Sequence, residues 1–588
     1  MKPASGFAAA WANQTARVRS SRFWNQTVSR PPAGPILPSK PGPGEVALDA
    51  SWSLSRPDVK PGGPAAAGLN DLARLLRRDF ALPLTRATTG SPVLAFRLKG
   101  QEGPHARAFA LDVAPGRITV TAASEASLLR AALWLGNYWR LVRRPALPAG
   151  RRTVRPVVPH HIGADLWGGF STTQAWVPGR ETDTNFLELA RVGMTGLLVM
   201  AKLEDYLEEA PAPFDLLIQP GVTERLERLR QLVARAAEAD IGVILLGYLP
   251  KLAPGHPLFA ARPRSRGSLQ HGGSFRALCS SDPVTLRFLA DSWASVFKAV
   301  PGLGGMLAIS GGEAFYHCHM RSQGIMDCPR CRRKDPGDVV ARLLNTTARA
   351  IHAEAPDALF ITWPYSAAGW SGDRDQVRFI DGLDPKHVIL QTEIDKDEVE
   401  WRPAGYGKLI WDYSLSGSTL SARCLAQRRQ AKRKGLGFGI KIECNNAIEC
   451  LNVPWLPVLD NQRRLWERVR ALRPRVVHSR WMFDGSCKAP PEELGFWALW
   501  GAGTHFSNLG TTLDALAVRD FGPAAAPGIR RAWSRFTEAF RHHPSLDYYK
   551  GSYFIGPAQP LVLEPGDKTL DPAFSGMFYW LWEGEPDG

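Results

Sequence analysis

From residue 159 onward one pattern recurs: a short apolar run of the kind that makes a buried strand, then a longer segment with helical periodicity. The runs fall at 161–167, 196–201, 242–248, 305–310, 359–365, 387–393, 437–443 and 476–483. Helical segments at 184–192, 222–239, 282–300, 339–355 and 421–434 lie between them. Strands joined through helices run parallel, because the crossover carries the chain back to the starting edge. Eight of them over about 330 residues predict a closed (β/α)8 barrel with enlarged loops. An open doubly wound sheet is the alternative, but the glycine-rich phosphate fingerprint that goes with it is missing from the sequence.

The fold class is therefore α/β: a (β/α)8 TIM barrel at 156–500, a small α+β domain before it and a helical region after it. Residues 1–45 hold the stretch Arg30-Pro-Pro-Ala-Gly-Pro-Ile-Leu-Pro-Ser-Lys-Pro-Gly-Pro43 and read as an extended arm, with Trp11, Phe23 and Trp24 in need of burial. Between 46 and 155 the period shortens. An amphipathic helix at 69–80 and a strand at 93–98 precede a hairpin of 108–113 and 117–122 around Pro115-Gly116. A second amphipathic helix at 124–139 opens on the Ser124-Glu125 capping signal. The segment 501–588 carries helices at 512–521 and 527–542, then the aromatic run Met577-Phe-Tyr-Trp-Leu-Trp582. A terminal aromatic strand needs a pairing partner, so the chain is expected to continue in a longer protein.

One carboxylate stands out against this scaffold. The fourth run, Gly304-Gly-Met-Leu-Ala-Ile-Ser-Gly-Gly-Glu-Ala314, ends in two glycines and Glu313. The glycines permit a sharp turn where the strand stops, which sets Glu313 at the barrel mouth, where active sites of this architecture lie. Cleaving a glycosidic bond takes a protonated acid at the leaving oxygen and a second carboxylate near the anomeric carbon. Glu313 is the candidate acid, kept protonated by an apolar surround. Glu393, Glu449 and Glu443 are candidates for its partner, in that order, and pairing with barrel arginines is the competing reading for each. Trp167, Trp363, Trp411 and Trp481, at predicted strand ends, read as platforms for a sugar's apolar face. Tyr365, Asp412, Tyr413, Asn445 and Asp484 read as hydrogen-bonding neighbours. His160 and His161 begin the first strand, either lining the pocket or in the core.

These residues resemble a known family. The small domain ending Arg117-Ile-Thr-Val-Thr-Ala-Ala-Ser-Glu-Ala-Ser-Leu-Leu-Arg-Ala-Ala-Leu133 is similar to the second domain of family-20 glycoside hydrolases, which also precedes a (β/α)8 barrel. Gly-Gly-Glu313 looks like that family's Gly-Gly-Asp-Glu signature, whose glutamate is the general acid. A group of bacterial glycosidase-like proteins matches further: Cys328-Pro-Arg-Cys331, Glu393, Asn445-Asn446 with Glu449, and Val453-Pro-Trp-Leu-Pro457. The resemblance spans roughly residues 50–540 and implies a β-N-acetylhexosaminidase-type glycosidase. One departure is Gly312, which stands where the family has the aspartate that orients the substrate's N-acetyl group. That work would pass to another carboxylate such as Glu393.

Cys318, Cys328 and Cys331 cluster beside His317 and His319. Cys-x2-Cys with a third cysteine has the chemistry of a structural zinc site. A disulfide or buried free thiols are the alternatives. No cofactor is expected for catalysis, since no P-loop, nucleophile elbow or His-Glu-x-x-His is present in the sequence.

The net charge of +16 comes from 72 Lys and Arg against 56 Asp and Glu. The densest basic run, Arg428-Arg-Gln-Ala-Lys-Arg-Lys434, reads as a solvated helix face, so nucleic acid is not the expected partner. An oligosaccharide or glycoconjugate bearing uronate or sulfate makes better use of the charge. No membrane span or apolar signal segment is visible in the sequence, so the expected location is cytoplasmic, or periplasmic or secreted if a signal was removed. The alternatives are a non-catalytic carbohydrate-binding protein on the same scaffold, and polyanion binding with steep salt dependence. Sugar identity, linkage, stereochemistry and oligomeric state are open.

Overall fold

The structure is a computed structural model that describes residues 39–86, 90–100, 107–164, 186–321, 326–403, 405, 407–410, 414–416, 420–445, 455–480 and 489–542. Its centre is a closed barrel of eight strands. They are β1 (His160–Ala164), β2 (Gly196–Lys202), β3 (Gly242–Tyr248), β4 (Gly305–Ile309), β5 (Leu359–Trp363), β6 (Ile389–Glu393), β7 (Gly437–Lys441) and β8 (Val476–Arg480). Each pairs in parallel with the next, and β8 closes on β1 through Val477↔His161 and His478↔Ile162. Strands β2 to β5 are largely apolar on both faces because both are covered. One face meets the helical ring, where Met306, Leu197 and Leu245 pack with Trp293 and Leu344. The other fills the barrel with Ile162, Leu198, Ile244, Leu307, Ile361 and Val476.

Ahead of the barrel lies a six-stranded sheet in the order Thr85–Arg86, Ser53–Ser55, Val93–Leu98, Arg117–Ala122, Phe109–Ala114, Gly150–Val154. The expected hairpin is present, with Leu111 opposite Val120. Strict alternation along Phe109–Ala114 turns Phe109, Leu111 and Val113 inward. Two helices, Pro64–Phe80 and Glu125–Val142, cover that face. They approach closely at Gly68, where a Cβ would meet Leu129 Cα at 2.9 Å.

The helix Glu125–Val142 corrects the sequence expectation of amphipathicity, since fourteen of its residues are buried. It is capped as expected, by Ser124 Oγ accepting from the Ser127 N–H. But it lies between the sheet and the barrel, and such a helix is apolar all round. Arg130 reaches across to Asp240 at 2.7 Å and to Ala190 O at 2.9 Å, and the Trp134 indole N–H donates to Trp500 O at 3.1 Å. After β8 come helices Pro490–Trp500, Leu509–Phe521 and Ala526–Phe540, packed on the same side. No helix among the described residues is long and apolar enough to cross a membrane. The arm up to residue 38 and the 577–582 run lie outside the described residues.

Candidate active site

The end of β4 is fixed by its neighbours. The Ser310 carbonyl accepts from His317 Nε2 at 2.9 Å and from the Trp370 indole N–H at 3.1 Å, while Ser310 Oγ accepts from Thr362. Gly311 then passes so close to β5 that a Cβ would sit 2.0 Å from Pro364 O. Gly312 has φ +100° and lies against Tyr365 and Ser366, and its carbonyl accepts from Arg321 Nε at 2.5 Å. Ala314 has φ +63° and is fully buried. Glu313, half-buried, is thus held between two residues in left-handed backbone, at the C-terminal mouth of the barrel. Left-handed backbone recurs at that mouth in Tyr365 (φ +43°) and Asp397 (φ +70°), after β5 and β6. Such conformations persist only where the surroundings enforce them, and they gather at functional sites.

The barrel interior changes character around its circumference. From β3 to β5 its upper part is Leu246, Tyr248, Ile309 and Trp363; from β6 to β8 it is Gln391, Glu393, Lys441, Glu443, His478 and Arg480. Contacts across the barrel establish the direction: Gln391 Nε2 lies 3.3 Å from His478 Nδ1, and the Trp363 ring lies 5.9 Å from that of His478. Burial, reinforced by Lys441, holds His478 well below the ordinary histidine range, so the ring is neutral at pH 7.

Several buried charges in this sector are paired. Arg423, from the helix after β6, donates to Glu393 Oε2 at 2.6 Å and to Gln376 Oε1 and Tyr365 O at 3.2 Å, and lies 3.1 Å from Asp397. Lys441 pairs with Glu443, although burial still pulls its ammonium below the lysine range. Lys396 Nζ sits 4.4 Å from the Tyr365 ring centroid. Asn445 donates to Glu492 Oε1 at 3.0 Å, and burial pushes the Glu492 carboxyl up to about 7 against the pull of Arg480 and Asn445.

The structure therefore brings together Glu313, Tyr365, Glu393, Glu443 and Asn445 at one end of the barrel. Trp363 sits deeper than a rim platform: its ring packs on Tyr365 and His478 inside the barrel and is as fully buried as Glu393. His161 lies on the outer face and low on β1, its Nε2 2.7 Å from Ser479 Oγ and its ring edge-on to Trp466, and burial lowers it to about 3. It is a core histidine. Trp167, Trp411, Asp412, Tyr413, Asn446, Glu449, Trp481 and Asp484 lie outside the described residues. Lys441, His478, Arg480, Lys396, Arg423 and Glu492 went unnoticed in the sequence. The signal for the strand residues was there: polar side chains two apart at the ends of β6, β7 and β8.

The cysteines also gain a member. Sγ atoms of Cys318, Cys328, Cys331 and Cys279, which follows the strand Phe275–Leu278, all lie within 4.8 Å of one another and are buried. All four are free thiols here. Cys279 stands alone in sequence, so spacing could not reveal it.

The architecture is a closed eight-stranded parallel barrel with a small α+β sheet ahead of it. No family model and no curated protein sequence matches the chain. Among solved structures it is similar to a GH138 enzyme targeting pectin rhamnogalacturonan II, with a TM-score of 0.56 and 11% identity, covering 83% of this chain. The chain spans 56% of that enzyme's length. A β-N-acetylhexosaminidase from Bacteroides fragilis NCTC 9343 matches 83% of this chain and 94% of its own, with 16% identity and a TM-score of 0.46. The GH20 β-N-acetylhexosaminidase from Streptomyces coelicolor A3(2) matches 86% of this chain and 96% of its own, with 15% identity and a TM-score of 0.47. At such identities the likeness is one of fold, and function has to be argued from the site.

Proposed function

We propose that the protein is a glycoside hydrolase in which Glu313 is the general acid. The observation that carries this is the turn after β4, where Gly311 packs tightly on β5 and Gly312 and Ala314 take left-handed backbone, displaying one carboxylate between them at the barrel mouth. Glu393 is the second carboxylate. Its charge rests on Arg423, which suits the anionic half of a carboxylate pair, and its Oε1 has no hydrogen-bond partner among the described residues. That oxygen is left for the anomeric carbon, for an attacking water or for a sugar hydroxyl.

The substrate is a glycan carrying uronate or sulfate. The net charge of +16 and the ammonium of Lys396 over the Tyr365 ring support this. A fold neighbour, the GH138 enzyme, targets a pectin. Gly312 meanwhile excludes an aspartate of the family-20 kind, since a side chain there would need φ +100° and would press on Tyr365 and Ser366.

The test is product release from a panel of neutral, N-acetylated, uronic and sulfated oligosaccharides, wild type beside Glu313→Gln. Hydrolysis of an acidic member, lost in the variant, supports the reading; hydrolysis that survives Glu313→Gln contradicts it. The ion pairs Glu393–Arg423 and Glu443–Lys441 also fit a second reading, a non-catalytic carbohydrate-binding protein in which these glutamates hold the barrel together. Wild type that binds but never cleaves a panel member selects that reading.

A further inference from the structure

The four converging cysteines join two excursions of the chain at the rim of the barrel. Cys279 ends the hairpin of Arg266–Gln270 and Phe275–Leu278 that follows β3. Cys318 lies five positions after Glu313 in the β4 loop, and Cys328 and Cys331 form a Cys-x2-Cys knuckle ahead of the helix Pro336–Glu354. Cys279 Sγ is 3.5 Å from Cys328 Sγ and 3.7 Å from Cys331 Sγ. A disulfide would need about 2.05 Å. Zinc–sulfur bonds of about 2.3 Å in a regular tetrahedron put sulfurs about 3.8 Å apart. The separations observed are those of four ligands around one small ion, too tight to surround a polynuclear iron–sulfur cluster.

The surroundings are built for the same charge state. Four thiolates around a dication carry two net negative charges, and Arg330 lies with Nε 3.3 Å from Cys279 Sγ. Its other nitrogen is anchored on the carbonyls of Arg264 and Arg266. Ser281 Oγ stands 3.3 Å from Cys331 Sγ. Gly267 leaves room for the cluster, since a Cβ there would meet Cys318 Sγ at 2.9 Å and Ala277 O at 2.3 Å.

We infer that Cys279, Cys318, Cys328 and Cys331 bind one zinc ion, which ties the hairpin after β3 to the loop that carries Glu313. Binding displaces four thiol protons to solvent and involves no change of oxidation state. All four positions are filled by sulfur, so the ion has no open site for substrate and acts by holding the rim. His317, adjacent to Cys318, is the mechanical link: its Nε2 bonds the Ser310 carbonyl three residues before Glu313.

The test uses the full chain and needs no substrate, so its failure is distinct from failure of the glycosidase reading. Purified wild type, dialysed into metal-free buffer, is measured by elemental mass spectrometry. About one zinc per chain is expected, with at least a tenfold loss in Cys279→Ser and in the Cys328→Ser/Cys331→Ser double variant. Stripping wild type with a thiol reagent and chelator should release the zinc. It should also raise amide exchange in peptides spanning 310–321, and leave the sheet strands at 109–122 unchanged. A folded wild type with no metal, with iron, or with four thiols that react freely overturns the proposal. Full zinc retention in Cys279→Ser removes Cys279 from the ligand set. Unchanged exchange at 310–321 after zinc release severs the link to Glu313.

Discussion

Glycine at 312 is a steric requirement before it is a chemical one. Its φ of +100° strains any side chain, so Gly312→Ala should cost about 1–3 kcal/mol. Gly311→Ala should cost more, since its Cβ would overlap Pro364 O. Both appear as lowered thermal midpoints, and an unchanged midpoint in Gly312→Ala would show that the turn relaxes freely. Arg423 is a sharper case. Removing it with Arg423→Met strands Glu393 in the interior, a change that typically costs about 3–5 kcal/mol. A double variant, Arg423→Met with Glu393→Gln, should recover part of that loss; no recovery would mean that Arg423 acts through Tyr365 and Gln376 instead. Glu492 supplies a pH signature. Its folded value, about 7, lies above the unfolded one near 4.5, so the folded state holds a proton that the unfolded state gives up. Its contribution therefore falls as pH rises from about 4.5 to 7. Melting wild type and Glu492→Gln from pH 5 to 8 should show the midpoint difference shifting in favour of the variant as pH rises; parallel curves would place the Glu492 charge elsewhere.

The elements were legible wherever a repeating period was. β3 begins and ends where the apolar run does, and the other strands differ from expectation mainly at their ends. What the period could not show is which way each strand end turns. Indoles at strand ends read as platforms because Trp is large and amphipathic, yet Trp363 falls on the inward register and is enclosed. The same rule, applied to Gln391/Glu393, Lys441/Glu443 and His478/Arg480, would have exposed the charged sector. In sequence each pair is short and follows an apolar run, which masks the alternation. The helix Glu125–Val142 departs from expectation for a different reason: a sequence does not say that a second body will cover the polar side.

At the scale of the whole molecule, the small sheet is a wall of the barrel's support. Asp240 receives Arg107 at 2.7 Å and Arg130 at 2.7 Å, two arginines from the accessory part meeting one carboxylate between α/β crossovers. Burial raises the Asp240 pKa, but the two arginines outweigh it and hold the group below the usual carboxylate range. Its stabilisation is thus present above about pH 4 and lost as pH falls through the lowered value. Asp240→Ala should loosen this contact, and limited proteolysis should then cut between 107 and 160 faster than in wild type; an equal rate would mean that the apolar contacts around Trp134 suffice. The fold and the carboxylate after β4 were readable because each rests on local pattern. The Cys279 ligand and the charged sector were not, because they arise only when distant segments meet.

If Glu313 protonates the leaving group, its loss is felt most where the leaving group departs least readily. Wild type and Glu313→Gln are compared on two aryl glycosides of the sugar that the panel identifies, one with an acidic phenol that departs without help and one with an alkyl-like phenol that does not. A loss of about 10²–10⁴-fold is expected on the poor leaving group and a far smaller loss on the good one. Equal losses on both would contradict it and make Glu313 a structural or binding residue.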